Sequence, residues 1–152
     1  SAADGEGVNW PEYKEFADVC VQALQSRGLG DRLVIQSFDT RALNYIHGRY
    51  PQLRLSYLTD KSDTDFDSFM AELEFIPDWL SPHHSVVDED LVQKCHDKGM
   101  KIVPWTVDDS DELRRLIDLR VDAIITNYPD RLLKLTRGYA EPAPGPIPER
   151  TH

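Results

Sequence analysis

Residues 101–130 constrain the fold more than any other part of this sequence, because they have the pattern of a strand, a helix and a second strand. Two almost continuous apolar runs, 102–107 and 121–126, flank a segment whose apolar residues recur at helical spacing. Asp109 lies just before that segment and predicts a capped helix start. Apolar runs without alternation are typical of strands that are covered on both faces. This stretch therefore predicts one βαβ unit of a parallel sheet.

The remainder of the chain repeats this alternation of helices and strands. Further strands are predicted at residues 33–37, 53–58 and 78–81. Further helices are predicted at residues 10–26, around 42–46, and at 69–74, 88–98 and 130–136. Such alternation predicts an α/β fold in which right-handed crossovers join parallel strands. Since no glycine-rich nucleotide-binding loop follows any strand, we favour a barrel, or part of one, over an open nucleotide-binding sheet.

The two ends of the chain differ in composition from its middle. Residues 1–9 are small and acidic and include glycine, which is typical of a loop. Residues 138–152 hold four prolines in fifteen residues, so we expect an extended, disordered tail. A proline-rich ligand for another domain is the alternative reading of that tail. The folded unit is therefore predicted to occupy residues 10–137.

Charge and hydropathy exclude some classes of function. The formal net charge of −10 argues against a nucleic-acid partner, since a phosphate backbone requires a basic surface. No apolar run approaches the roughly 20 residues that cross a bilayer, so no transmembrane segment is predicted. We expect a soluble protein and leave its compartment open between cytoplasm and periplasm. Cys20 and Cys95 lie on apolar helix faces without CxxC spacing, which predicts buried thiols rather than a disulfide or redox pair.

In a barrel of this kind, the active site lies at the carboxyl ends of the strands. That rule selects a polar and aromatic set of residues with few ionisable groups: Gln36, Ser37, Phe38, Tyr57, Leu58, Ser81, Pro82, His83, Trp105, Thr106, Thr126 and Asn127. The set is typical of a wall that faces a substrate, and it is poor in acids, bases and nucleophiles. Trp105 fits core packing at the barrel mouth as well as it fits ligand contact.

Two further groups of residues contain side chains that can bind metal ions, and we expect neither group to form a metal site. His83 and His84 are adjacent, so on an extended segment their rings point to opposite sides and form rim residues rather than a ligand pair. The acidic run at residues 108–112 lacks the spaced ligands and the glycine of a calcium loop. Helix capping explains that acidic run more simply.

Four segments of the chain together resemble the C-terminal half of the glycerophosphodiester phosphodiesterases. They are IQSFD at residues 35–39, PDWLSP at 77–82, GMKIVPWTV at 99–107 and VDAIITNYPD at 121–130. The likeness extends over about residues 10–136, and the pairing of WTV with VDAIITNYP is its most specific part. The resemblance implies an α/β fold of the TIM-type (β/α) barrel family, of which residues 10–137 supply roughly the C-terminal half. It also implies hydrolysis of glycerophosphodiesters to glycerol 3-phosphate and an alcohol with Ca²⁺ or Mg²⁺.

The resemblance carries over a substrate wall and no catalytic group. Its candidate substrate-binding residues here are Ser37, Phe38, Trp105, Thr126 and Asn127. The family's two histidines belong to HRG and HD elements, and its metal ligands belong to ExD and ExK elements. None of these four strand motifs occurs in this chain, so we assign no catalytic and no metal-ligating residue.

Two substitutions depart from the pattern of the family. Arg120 replaces the glycine that usually precedes VD, which we expect to alter the helix end. Asn127 replaces the usual aspartate and removes a negative charge near the end of the strand.

Three hypotheses about function follow. The leading one is a metal-dependent glycerophosphodiester phosphodiesterase, present here as a fragment that is inactive alone, with a small-molecule substrate and either a missing N-terminal half or a second copy as its partner. The alternative is a non-catalytic α/β binding module or a self-paired half-barrel dimer. A third hypothesis is a different metal-dependent hydrolase whose carboxylates come from Asp39, Asp108 or Asp130.

Overall fold

The computed structural model describes residues 10–28, 33–60 and 65–137. The predicted N-terminal loop at residues 1–9 and the predicted tail at 138–152 lie outside that part of the chain. The helices are α1 Trp10–Gln25, α2 Thr40–Arg49, α3 Phe66–Met70, α4 Glu89–Asp97, α5 Ser110–Asp118 and α6 Pro129–Thr136. The strands are β1 Val34–Ser37, β2 Arg54–Thr59, β3 Trp79–Pro82 and β4 Lys101–Ile102. Within the described residues, no helix is both long enough and apolar enough to cross a bilayer.

The four strands form one parallel sheet in the order β1-β2-β3-β4, with Ile35 beside Leu55, Tyr57 beside Leu80, and Leu80 beside Ile102. Every crossover leads to the next neighbouring strand. Because crossovers between parallel strands are right-handed, this order places the connecting helices on one face of the sheet. A doubly wound sheet would instead reverse its strand order. The topology is that of consecutive units of a (β/α) barrel, which confirms the predicted fold class.

The face of the sheet that carries the helices forms the hydrophobic core. Alternate strand residues Leu55, Tyr57, Leu80 and Ile102 are buried there. They belong to one cluster with side chains from the helices: Leu43, Ile46, Phe69, Leu91, Val92, Cys95, Leu113 and Leu116. Since successive strand residues point to opposite faces, the residues between them lie on the other face of the sheet.

That second face corresponds to the interior of a barrel. Ser56 and Ser81 lie on it, are fully buried, and join their hydroxyl groups by a 2.9 Å hydrogen bond between β2 and β3. Gln36 of β1 belongs to the same face and is exposed. The described residues thus cover the helical face of the sheet more completely than the interior face.

The prediction of a regular strand at residues 121–126 is wrong, although this segment runs beside β4 and is hydrogen-bonded to the chain that continues from it. The amide of Asp122 donates to the Ile102 carbonyl at 3.0 Å, and the amide of Ile125 donates to the Pro104 carbonyl at 2.9 Å. Pro104 has no amide hydrogen and cannot donate the bond that a regular ladder needs between these two. The register therefore slips by one residue, and the amide of Val107 donates to the Ile125 carbonyl at 2.9 Å.

The helix predicted at residues 69–74 lies earlier, at Phe66–Met70. It starts early because the side chain of Asp65 accepts a hydrogen bond from the Ser68 amide and caps the helix. It ends early because the side chain of Asn44 donates to the Glu72 carbonyl at 3.0 Å and accepts from the Glu74 amide at 2.9 Å. These two hydrogen bonds of the Asn44 side-chain amide hold the backbone of residues 72–74 outside the helix.

The expectation that Arg120 alters the end of its helix is also wrong. After α4, Gly99 has φ 74°, and the amides of Gly99 and Met100 bond back to carbonyls of the last turn. After α5, Arg120 has φ 61° and makes the same pair of bonds, with its own amide and that of Val121. Both are left-handed terminations of the kind that usually contains glycine. Arginine therefore adopts the conformation in which glycine is favoured.

Candidate functional site

Three aromatic side chains meet at the carboxyl edge of the sheet: Phe38 after β1, His83 after β3 and Trp105 after β4. The Phe38 and Trp105 rings are 5.9 Å apart, and the His83 and Trp105 rings are 5.5 Å apart, both edge to face. We call these three residues the aromatic rim. Edge-to-face packing is a favourable arrangement of aromatic rings. Phe38 remains 55% exposed, so the rim keeps an apolar surface open to a ligand.

The backbone of the sheet positions the rim. His83 and Trp105 form a parallel bridge, with the His84 amide bonded to the Trp105 carbonyl at 3.1 Å. The indole Nε1 of Trp105 donates to the Ser81 carbonyl at 2.9 Å, which fixes the plane of the ring. Phe38 and Trp105 were both selected from the sequence, and the structure places them in contact.

The prediction that His83 and His84 point to opposite sides is wrong, since their ring centroids are only 4.4 Å apart. A short 3₁₀ turn, His84–Val86, begins at this point and ends the alternation of an extended strand. The His83 Nδ1 atom lies 2.7 Å from the Ser85 hydroxyl, and the His84 Nδ1 atom lies 3.0 Å from Glu112 Oε1. Each ring is thus directed by its own partner.

Glu112 joins this turn to α5. Both of its oxygens are bonded to the Arg115 guanidinium, at 2.6 and 2.9 Å. Arg115 in turn donates to the carbonyls of Val87, at 2.6 Å, and His84, at 3.0 Å. The hydrogen bonds from Arg115, and after them the bond to His84, together lower the pKa of Glu112 to about 2. The spacing of Glu112 and Arg115 on one helix face was the sequence signal for this pair, and it was missed.

Asp108 binds Thr126 and Asn127, the two candidate substrate-binding residues at the end of the segment 121–127. Its carboxylate accepts hydrogen bonds from the Asn127 amide at 2.9 Å, the Asn127 Nδ2 at 3.0 Å and the Thr126 hydroxyl at 3.2 Å. The bonds from Asn127 lower the pKa of Asp108 below its usual value. The Arg131 guanidinium donates to the Asp108 carbonyl at 2.8 Å. Thr126 and Asn127 are therefore held at the strand edge by a carboxylate that sequence reasoning assigned to a helix start.

Ser37 lies on the opposite face of the sheet from Phe38. Its hydroxyl accepts a hydrogen bond from the Asp39 amide at 3.0 Å, which shapes the turn into α2. It also borders a cavity of about 360 Å³ between α1 and α2. The structure thus separates Ser37 from the aromatic rim.

The residues that the structure describes do not suit a divalent cation. They contain no group of three or more His, Cys, Asp or Glu side chains that could hold a metal ion. Of the carboxylates in the third hypothesis, Asp39 forms a bidentate pair with Arg41, at 2.8 and 3.0 Å, and Asp108 is bonded to Asn127. Asp130 is exposed in the first turn of α6. Among the described residues, these three carboxylates therefore do not form a group that fits a metal ion.

Two short letter matches to the catalytic motifs lie on helices. The letters of ExK occur at residues 12–14 in α1, and those of HD at 96–97 in α4. The Nε2 atom of His96 donates to Asp122 Oδ2 at 2.9 Å, and the same oxygen accepts from the Ile102 amide at 2.8 Å. Neither match is therefore a strand motif of the kind that the family uses.

The prediction that both cysteines are buried is confirmed for Cys95 and only in part for Cys20. Cys95 is completely buried in the core, and burial raises the pKa of its thiol to about 12. Cys20 is partly buried beside the α1–α2 cavity. Both thiols are free, so neither is joined in a disulfide.

Comparisons with known proteins agree with this geometry. The sequence profile of the Glycerophosphoryl diester phosphodiesterase family matches residues 6–131. A glycerophosphodiester phosphodiesterase from Caldanaerobacter subterraneus subsp. tengcongensis is 27% identical over 125 residues, which are 82% of this chain and 51% of that protein. The chain thus spans about half the length of this curated relative.

Solved structures give the same result. A glycerophosphodiester phosphodiesterase from Parabacteroides distasonis is 28% identical, with a TM-score of 0.74 over 86% of this chain and 54% of that one. A phosphodiesterase from Oleispira antarctica, solved with the product sn-glycerol-3-phosphate, shares the fold at 20% identity, with a TM-score of 0.68 over 82% of this chain and 50% of that one. Together with the parallel sheet and its winding, these matches show that the chain belongs to the glycerophosphoryl diester phosphodiesterase family and contributes part of its (β/α) barrel.

Proposed function

We propose that this protein is part of an enzyme that hydrolyses glycerophosphodiesters to glycerol 3-phosphate and an alcohol, and that the described residues supply the wall of the substrate site. The observation that carries the proposal is the aromatic rim at the carboxyl edge of the sheet, where barrels bind their substrates. Phe38 and Trp105 offer apolar ring surface to the glycerol carbons. Thr126 and Asn127 border the same edge as polar residues, and Ser37 acts through the turn that presents Phe38. The product complex of the Oleispira antarctica relative supports glycerol 3-phosphate as the ligand.

Catalysis requires groups that the described residues do not offer. Proton transfer to and from a phosphodiester needs an acid and a base within hydrogen-bond reach, and a divalent cation, Ca²⁺ or Mg²⁺, would neutralise phosphate charge. We propose that an N-terminal half of the barrel supplies the acid, the base and the metal ligands. On this proposal the chain binds the substrate and is inactive alone.

The first experiment measures release of glycerol 3-phosphate from glycerophosphocholine by the purified chain, with Ca²⁺ or Mg²⁺ and then with a chelator. We expect no turnover from protein whose circular dichroism shows it to be folded. Turnover that the chelator abolishes would overturn the assignment of catalysis to a second half of the barrel.

The second experiment measures binding of sn-glycerol 3-phosphate by tryptophan fluorescence. We expect a saturable change that is lost in Trp105→Phe and retained in Trp79→Phe. Trp79 is the matched control, because it is partly buried at the other end of β3. If both variants respond as the unmodified chain does, the aromatic rim is not the binding surface.

The edge of the sheet at β1 suggests association with a partner. Among the described residues β1 pairs with β2 alone. Beside it, Phe16 and Val19 of α1 are 71% and 63% exposed, and Phe16 borders the α1–α2 cavity. Unpaired strand edges and exposed apolar side chains favour association. We propose that the N-terminal half of the barrel covers this edge, and a second copy of the chain is the alternative occupant.

Light scattering tests the association. For the chain alone we expect an average mass above that of a monomer, because the chain associates with itself. In Phe16→Glu we expect this mass to be lower. A well-folded monomer at high protein concentration would show that the edge needs no partner. A defined dimer that binds the substrate without turnover would favour the non-catalytic, self-paired form.

A further inference from the structure

The imidazole of His83 has one nitrogen held by the protein and one available. Its Nδ1 lies 2.7 Å from the Ser85 hydroxyl and 3.3 Å from the Ser85 amide, and it accepts a hydrogen bond from that amide. Within the part of the chain that the structure describes, the Nε2 of His83 has no hydrogen-bond partner. The ring is partly buried and packs edge to face against Trp105.

The hydrogen bond from the Ser85 amide favours the tautomer of His83 whose proton is on Nε2. A backbone amide can only donate, so the Nδ1 atom that accepts from it has no hydrogen of its own. In a neutral imidazole the single proton then resides on the other nitrogen. In this tautomer His83 presents Nε2–H, a hydrogen-bond donor.

The turn that carries His83 is anchored to the rest of the protein. The His83 amide donates to the Thr59 carbonyl at 2.9 Å, and the next residue is held by the Trp105 carbonyl. Arg115 donates to two carbonyls of the turn, those of His84 and Val87. A donor held in this way loses little conformational freedom when it binds a ligand.

We infer that His83 is a further substrate-contacting residue, which donates from Nε2 to an oxygen of the phosphodiester bound against Phe38 and Trp105. The inference rests on the proposed function and goes beyond it by assigning a polar contact to a residue outside the five predicted site residues. A hydrogen bond to a charged group contributes about 1.5–3 kcal/mol, which corresponds to about 10- to 100-fold in affinity.

Nuclear magnetic resonance of the chain labelled with ¹⁵N at histidine and tryptophan tests the contact directly. The ring signals of His83 are identified by their absence in His83→Gln. We expect the free chain to show the Nε2–H form of His83. Addition of sn-glycerol 3-phosphate should move its Nε2 signal saturably and leave those of His47 and His96 in place. The Nδ1–H form in the free chain would overturn the inference.

The same titration separates the two proposals. A shift of the Trp105 indole signal with no shift at His83 would refute the contact and leave the proposed function standing. If neither signal responds, the proposed binding surface fails, and the His83 contact fails with it.

A pair of variants provides the second measurement. His83→Phe keeps a ring beside Trp105 and removes the donor, and we expect it to weaken binding of sn-glycerol 3-phosphate by about 10- to 100-fold. In His83→Gln the side-chain amide can place an N–H group near the position of Nε2–H, and we expect affinity within about threefold of the unmodified chain. Equal binding by the Phe variant would show that His83 acts only through packing.

Discussion

Replacing Glu112 by glutamine tests the network that anchors the turn of His83. In the folded protein the Arg115 guanidinium and, to a smaller extent, His84 lower the pKa of Glu112 from 4.5 to about 2. That difference corresponds to a ceiling of about 3 kcal/mol. Since the Arg115 side chain is 40% exposed, solvent screens the pair, and we expect a loss of about 1–2 kcal/mol in Glu112→Gln at pH 6.

The sign of the pH dependence follows from the direction of the pKa shift. A carboxyl group whose pKa is lower in the folded state stabilises the fold fully above its unfolded pKa of 4.5. That stabilisation disappears as the pH falls through the folded value of about 2. The difference in unfolding free energy between the two proteins should therefore shrink between pH 5 and pH 2. Urea unfolding followed by circular dichroism measures it.

Asp111→Asn is the matched control on the same helix. Asp111 pairs with Arg114 at 3.2 Å, three residues away, but the two side chains are 89% and 60% exposed. Exposed pairs of this kind contribute about 0–1 kcal/mol, so this variant should lose less than Glu112→Gln. A gap for Glu112→Gln that stays constant with pH, or equals that of Asp111→Asn, would refute the assigned role of the network.

Three further predictions concern the fold. Arg120→Gly should raise the unfolding free energy by about 1 kcal/mol, since φ 61° strains arginine and not glycine, and the urea midpoint should rise. Leu80→Ala, at a fully buried position in β3, should lower the unfolding free energy by about 3 kcal/mol, measured in the same way. With a thiol pKa of about 12, Cys95 should react with a disulfide reagent at pH 8 only after unfolding, whereas Cys20 should react in the native protein; thiol titration with and without urea distinguishes the two.

Local signals in the sequence predicted most of the elements, because each depends on neighbours within a few residues. Asp109 accepts from the amides of Asp111 and Glu112, which confirms the predicted cap of α5. Gly99 ends α4 as predicted, because glycine readily adopts the left-handed conformation found at this helix end. The segment at 121–126 failed as a regular strand because its partner strand contains Pro104, whose missing amide matters only once the two segments lie side by side.

The candidate site could be predicted from the sequence less completely than the fold. The rule that places active sites at the carboxyl edge selected Phe38 and Trp105, which are in contact. It also selected Ser37, which the alternation of β1 directs to the other face of the sheet. His83 was assigned a place on the rim, but its orientation depends on a 3₁₀ turn that the sequence pattern did not reveal.

The sequence by itself determined the α/β class, the order of the elements and the membership of the family, since apolar periodicity, helix caps and four short motifs are local properties of the chain. Tertiary structure alone decided which polar groups meet. His84 and Glu112 are 28 positions apart, and Asp108 and Asn127 are 19 positions apart. Each pair forms because parallel strands bring their carboxyl ends to one edge, so the chemistry of that edge is a property of packing and not of spacing along the chain.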